Sequence, residues 1–270
     1  MVNRGSDEKA GWHNCFGTGW SDSLHLNCFS NLEEIVKCFG ETRGSQNIVW
    51  RGQSNCMWPA FPSLYRRLRY AGLLDEQINE GLVALAESRI IESAKVNALL
   101  DDGGSVLDFM VRLQHYGGAT RLLDVTYDPF VALYFASGSP NQTPGVIFRY
   151  RINPDRVLDV DDGALWEDVI EKGTGGRVVL VRPLKLDRRI VVQSGAFVAT
   201  KLERELSASN VFTNVTYDTE ISMFLIRSDL KAQIRQYLSI EKNINEQTLF
   251  PDLSAFAKEN GQRSAFSAWI

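Results

Sequence analysis

Gln114-His115-Tyr116-Gly117-Gly118-Ala119-Thr120-Arg121-Leu122-Leu123-Asp124-Val125-Thr126, followed after Tyr127 by Asp128-Pro129-Phe130-Val131-Ala132-Leu133-Tyr134-Phe135-Ala136, is the stretch that decides the fold. The residues leading into it, Val106 to Tyr116, set Leu107, Met110, Val111 and Leu113 at helical spacing, and Gly117-Gly118 stop that helix. Thr120 to Thr126 then reads as a strand or a tight corner. Asp128 to Ala136 reads as a buried helix, with Asp128 as its cap and Pro129 in its first turn, where an N–H has no partner to lose.

Working outward toward the N-terminus, Leu32, Ile35, Val36 and Phe39 predict a helix, with Ser30 or Asn31 as cap. Asn47 to Gly52 reads as a short buried strand. Trp58 to Leu64 is an extended loop punctuated by proline that leads into Tyr65-Arg66-Arg67-Leu68-Arg69-Tyr70. Asp75 to Leu100 reads as one helix with Ile78, Leu82, Leu85, Ile90 and Ala94 on its apolar face. Toward the C-terminus the pattern changes to short strands: Gly145 to Ile152, Val178 to Val181, Arg189 to Val192, Ala196 to Ala199 and Ile221 to Ile226. A last helix runs from about Ser228, its cap, to Leu238. The expected fold class is α+β, a helical N-terminal half packed on a mainly antiparallel split sheet. Residues 1–22 read as an irregular arm and 23–270 as a single domain.

Composition narrows the function classes. Hydrophobic residues make up 44% and charged residues 23%, which is globular usage and sets disorder aside. A chain of 270 residues buries roughly 70–75% of its unfolded surface, so it needs no metal or disulfide to fold. A net charge of -4 excludes a basic field over the whole surface and leaves room only for a local basic groove. Cys15, Cys28, Cys38 and Cys56 form no Cys-x-x-Cys pair, and with His13, His25 and His115 they fit no common zinc spacing, so no metal is expected. The polar N-terminus lacks a signal-peptide core and no apolar run spans a bilayer, so a cytoplasmic location is expected.

Two blocks carry chemistry. One is Trp50-Arg51-Gly52-Gln53-Ser54 with Trp58, Pro62-Ser63-Leu64 and Arg66; the other is the stretch quoted first. Together they resemble the FRG domain, a bacterial family named for an aromatic-Arg-Gly motif. The chain departs from the family pattern at Gly118-Ala119, where a Pro commonly precedes the Thr, and at Val125, where an aromatic is usual; neither change removes a polar group. Arg189 to Phe197 resembles a weaker third block and Ile221 to Leu238 a fourth. The order of these elements also resembles the mono-ADP-ribosyltransferase fold. That resemblance implies that Arg51 holds the nicotinamide-side ribose and phosphate of NAD, and that Thr126 supports the nicotinamide pocket. The third role, a Glu on a later strand that orients the ribose hydroxyl, is open between Gln193, at the head of the strand Ala196 to Ala199, and Glu220, at the start of the strand Ile221 to Ile226. A carboxylate suits positive charge developing at the anomeric carbon better than an amide does; Asp124 and Glu203 are further candidates for that charge.

The candidate NAD-binding set is Arg51, Gly52, Gln53, His115, Tyr116, Thr120, Arg121, Asp124 and Tyr127. Arg51 would grip a diphosphate, Gly52 would let the ligand approach, and Tyr116, Tyr127 and Trp50 would wall the nicotinamide. Each has a structural alternative. Arg51 can bridge Asp124 beneath the sheet, Arg121 can form an internal ion pair with Asp124, and His115 can serve the end of its helix. Thr120 can simply cap the turn after Gly117-Gly118, Thr126 can be an ordinary strand threonine, and Gln193 can satisfy buried backbone groups. Arg66, Arg67 and Arg69, with Tyr65 and Tyr70, form a basic aromatic run that can track phosphates and stack bases, or be a solvated face. Three functions compete. The first is an NAD-dependent ADP-ribosyltransferase, a toxin or antiviral-defence effector acting on a nucleic acid (RNA favoured) or a protein, with an antitoxin or chaperone as implied partner. The second is a non-catalytic nucleotide or nucleic-acid binding module, and the third a metal-independent ribonuclease built on His115.

Overall fold

Alternation of apolar residues over short runs yields eight strands among the described residues: β1 (His25–Cys28), β2 (Ile48–Gln53), β3 (Leu123–Thr126), β4 (Gly145–Ile152), β5 (Val157–Asp159), β6 (Val179–Arg182), β7 (Gly195–Ala199) and β8 (Thr219–Ile226). They form one sheet in the order β1-β8-β4-β2-β3-β7-β6-β5. Nine helices accompany them among the described residues: α1 (Leu32–Glu41), α2 (Ser63–Tyr70), α3 (Glu80–Val96), α4 (Val106–His115), α5 (Pro129–Ala136), α6 (Trp166–Lys172), α7 (Arg188–Val192), α8 (Lys231–Glu241) and α9 (Glu246–Leu249). The computed structural model describes residues 25–42, 47–101, 104–139, 142–160, 162–183, 188–204, 206 and 219–251. The expected arm at 1–22 lies outside the described residues, as do Cys15 and His13.

The α+β class and the mainly antiparallel sheet agree with the sequence. β1 runs parallel to β8 and β5 parallel to β6; every other pairing is antiparallel. The register is uneven. β2 pairs with β4 over its whole length, from Ile48↔Arg151 to Gln53↔Val146. β3 pairs with β7 from Leu123↔Val198 to Thr126↔Gly195. Between β2 and β3, among the described residues, the register is the single pair Trp50↔Thr126. The sheet is therefore two four-stranded halves joined at one point.

The cores follow this division. On one face, Val49, Val125, Phe148, Leu180, Val198 and Met223 belong to one continuous cluster spanning both halves, with Leu64 and Tyr65 of α2 and Val83 of α3 packed into it. On the other face there are two clusters. Trp50, Ile147, Phe224 and Ile226 pack against Phe39 of α1, the apolar helix α5 and Ile234 of α8. Val179, Val181 and Phe197 pack against Met110 of α4 and Trp166 of α6. Each fully buried side chain of this kind contributes about 1.5–3 kcal/mol, so both halves are anchored independently on that face. The seam between them is where β2 and β3 part.

Helix α5 forms as its cap predicts: the Asp128 carboxylate accepts from the Phe130 N–H at 2.9 Å, and Pro129 opens the first turn. It lies directly on the sheet because glycine permits it. A Cβ at Gly52 would come within 1.8 Å of the Ala132 carbonyl oxygen, and one at Gly145 within 2.1 Å of the Ala136 carbonyl oxygen. Gly52 thus serves helix packing, a role the sequence reading did not give it.

Several elements differ from the sequence reading. Arg189 to Val192, expected as a strand, is the short helix α7. Its β-branched residues favour strands, but Val191 and Val192 lie exposed outside the sheet, with no face to pack on. The long helix from Asp75 divides into one 3-10 turn (Asp75–Gln77) and α3, whose cap is Asn79 accepting from the Leu82 N–H at 3.1 Å. Leu85 is exposed and so leaves the expected apolar face. The last long helix starts as a 3-10 turn at Ser228–Leu230, and the side chain of its flanking residue Arg227 makes no capping bond.

Candidate functional site

Where β2 and β3 separate, a cavity of about 860 Å3 opens between α2, the end of α4 and the α7–β7 turn. Ligand pockets commonly span about 300–1,000 Å3. Arg51 stands at its edge, partly buried. Its Nη1 donates to the Asp124 main-chain carbonyl at 2.8 Å and its Nε to Gln53 Oε1 at 3.3 Å. Both hydrogen-bond acceptors are neutral, and the Asp124 carboxylate acts on the guanidinium only through space. Desolvation pulls the guanidinium below its usual pKa, and the Asp124 charge opposes that pull.

The Asp124 carboxylate is turned to another partner: Gln114 Nε2 donates to its Oδ2 at 2.9 Å. Gln114 Oε1 in turn accepts from the Thr120 hydroxyl at 2.6 Å and lies 3.1 Å from the Ser63 hydroxyl. Ser63 Oγ also accepts from the Thr120 N–H at 3.0 Å. This network fixes α2, α4 and β3 relative to one another around the cavity. Sequence reasoning left Gln114 and Ser63 out of the site. The available signal was their presence as polar residues inside the two motif blocks.

Arg51, Thr126 and Gln193 come together on this cavity, and so do Gly52, His115, Tyr116 and Asp124. Thr126 is nearly buried; its hydroxyl donates to the Gln193 carbonyl at 2.6 Å and accepts from the Asp128 N–H at 3.0 Å. Gln193 follows α7 and precedes the strand β7, and its Nε2 donates to the Leu249 carbonyl at 2.9 Å. Tyr116 is 82% exposed, and the His115 ring meets it edge-on at 5.2 Å. Trp50 contributes to the cavity but is itself buried against Phe39 and Phe224. Arg189, which lines the same cavity, also stacks over Phe250 at 4.6 Å.

Other candidates lie elsewhere. Glu220 lines no described cavity; it pairs with Arg149 at 2.9 Å and Arg151 at 3.5 Å. The reason is register. Ile48, Arg151 and Glu220 form one cross-strand column, and Arg51, three residues from Ile48, projects from the opposite face. Thr120 is sealed from solvent by the network just described. Arg121 is 1% exposed and is paired with Glu87 (2.6 Å) and Glu80 (2.9 Å) on α3, which corrects both its expected ligand contact and its expected pairing with Asp124. Burial opposes the Arg121 charge, but its hydrogen bonds to Glu87, together with the negative charges of Glu87 and Glu80, outweigh it and raise its pKa. Tyr127 accepts from Arg182 Nε at 3.2 Å and lines neither cavity. Glu203 accepts from the Gly175 N–H at 2.6 Å, away from both.

A second cavity, about 1180 Å3, adjoins the first and shares Arg51, Gly52, Arg66, Tyr70 and Phe135 with it. Gln53, Trp58 and Arg69 line it. Of the basic run, Arg67 Nη2 donates to the Gly117 carbonyl at 2.8 Å, while Arg69 is paired with Asp75 at 2.8 Å and lies over the Phe61 ring. Among the described residues no group of three His, Cys, Asp or Glu side chains is placed to hold a metal, and no helix is long and apolar enough to cross a membrane.

Residues 46–144 match the family model of the FRG domain. The match takes in β2, Arg51, the Gln114–Thr126 stretch and α5; the expected third and fourth blocks fall outside it. No curated protein and no solved structure matches the chain.

Proposed function

We propose that this protein is an NAD-dependent ADP-ribosyltransferase, a toxin or antiviral-defence effector whose expected setting is the cytoplasm. The observation that carries the reading is the meeting of Arg51, Thr126 and Gln193 on one cavity of dinucleotide size at the split between β2 and β3. A guanidinium hydrogen-bonded to neutral oxygens alone is suited to a diphosphate, which it can hold through two parallel N–H donors. Tyr116 offers an exposed ring for the nicotinamide. Thr126 and Gln193 act through position, since their polar atoms hold the turn that closes the cavity.

In the proposed reaction the bond between the ribose anomeric carbon and the nicotinamide nitrogen breaks, and its electron pair leaves with neutral nicotinamide. An acceptor nitrogen or oxygen donates a lone pair to the same carbon and releases its proton to solvent or a nearby base. Asp124 is the carboxylate among the described lining residues of the cavity, and it takes the charge-stabilising role in place of Glu220. The test is nicotinamide release from labelled NAD by the full chain, with transfer of label to RNA, DNA or protein. Release that disappears in Arg51→Ala supports the reading; absence of release with the wild-type chain overturns it. A second reading, a nucleotide-binding module without turnover, is favoured by one observation: the side chains of Thr126, Gln193 and Asp124 are already committed to protein partners. Nucleotide binding at Arg51 without nicotinamide release is its signature.

A further inference from the structure

We propose that the second cavity is the acceptor site and that its occupant is an unpaired base of a single-stranded nucleic acid, whose phosphates follow Arg66 and Arg67. This rests on the transferase reading, because it names what that site would modify. The cavity shares Arg51, Gly52, Arg66, Tyr70 and Phe135 with the first one, so a base seated in it lies beside the Arg51 edge. Two large aromatic side chains line it while staying open to solvent: Trp58 is 53% exposed and Tyr70 85%. Exposed rings in a basic recess stack bases irrespective of sequence.

The platform is tied to the catalytic edge. Gln53 accepts from Arg51 Nε and donates to the Trp58 carbonyl at 2.8 Å, so one buried amide sets both Arg51 and the loop carrying Trp58. The charge pattern gives a polarity. Arg66 lines both cavities and has no carboxylate partner among the described residues, and Arg67 is held by a carbonyl alone. Arg69 is neutralised by Asp75, and Glu76 lies at the same end. Phosphates therefore favour the Arg66–Arg67 side, and the acidic end repels them.

The experiment uses the full chain and short fluorescein-labelled single-stranded RNA and DNA oligonucleotides, with binding read by anisotropy and NAD binding measured separately by calorimetry. Trp58→Ala and Tyr70→Ala should each weaken oligonucleotide binding by about 5- to 150-fold, the range of losing one stacked base. Both side chains are exposed, so unchanged thermal midpoints are expected to show that the variants are folded. Arg66→Ala should flatten the salt dependence by about one phosphate's share. Oligonucleotide binding that is absent, or unchanged in both aromatic variants, overturns the proposal. So does equal binding of duplex or heparin, which would reduce the effect to charge, and so does a loss of NAD affinity in Trp58→Ala equal to the loss for the oligonucleotide, which would give the second cavity to the dinucleotide. Failure of the transferase reading looks different: oligonucleotide binding persists with its Trp58 dependence, while nicotinamide is never released.

Discussion

Arg51 and Arg121 come from the two motif blocks and meet opposite fates. Arg121 is sealed between two carboxylates of α3, and its charge is spent inside the protein. Arg51 is held by a main-chain carbonyl and an amide, and its charge remains available at a cavity. Each even has a buried tyrosine within electrostatic reach, Tyr65 beside Arg121 and Tyr150 beside Arg51. The difference teaches that a motif arginine is read by its acceptors: carboxylates make it a strut, while neutral oxygens leave it at the cavity edge with no carboxylate in hydrogen-bond contact.

The contrast breaks most visibly at the strut. Arg121→Ala leaves Glu87 buried without its partner and should cost about 3–5 kcal/mol in chemical denaturation. A stable Arg121→Ala that had lost nucleotide binding would reverse the assignment. At the receptor, Arg51→Ala should weaken nucleotide binding by about 1.5–3 kcal/mol, roughly 10- to 100-fold, with little change in thermal midpoint. Arg51→Lys should restore little of it, because an ammonium cannot donate from two parallel N–H groups to a diphosphate. Gly52→Ala tests the packing beneath the site: the added methyl meets the Ala132 carbonyl, so stability should fall by about 3 kcal/mol or more in chemical denaturation.

The smallest effect is alkaline. Burial pushes the Tyr65 and Tyr150 phenols well above their usual range. Their unfolded counterparts ionise near pH 10, so the stability they contribute is complete below about that pH and is lost as pH rises further. Absorbance at the phenolate band should show these two rings titrating only as the protein unfolds. A titration in which they ionise with the exposed tyrosines would remove the electrostatic likeness between the two arginines.

Much of the fold was legible because its signals are local. Asp128-Pro129 announces α5, and the strands of the second half carry plain β-branched runs. α7 was not legible, because the same β-branched composition there serves an exposed helix. β5 and α6 were missed because three residues and seven residues carry too little periodicity. At the site, Arg51, Asp124 and Tyr116 could be named from the motif. Arg121 could not be told from them: the carboxylates that claim it lie on α3, far back in the sequence, and only the register excludes Glu220. Pairing across a sheet is nonlocal information, and a single sequence does not hold it.

The FRG span ends at residue 144, one position before β4, the strand that pairs β2 from end to end. It also stops short of β7, the full-length neighbour of β3. The segment that bears the motif is therefore no autonomous folding unit. During synthesis its two strands wait for partners still inside the ribosome, and the outer edge of the sheet closes only when β8 emerges to receive β1. A fragment cut at the family boundaries should leave β2 and β3 without their long partners and be prone to aggregate.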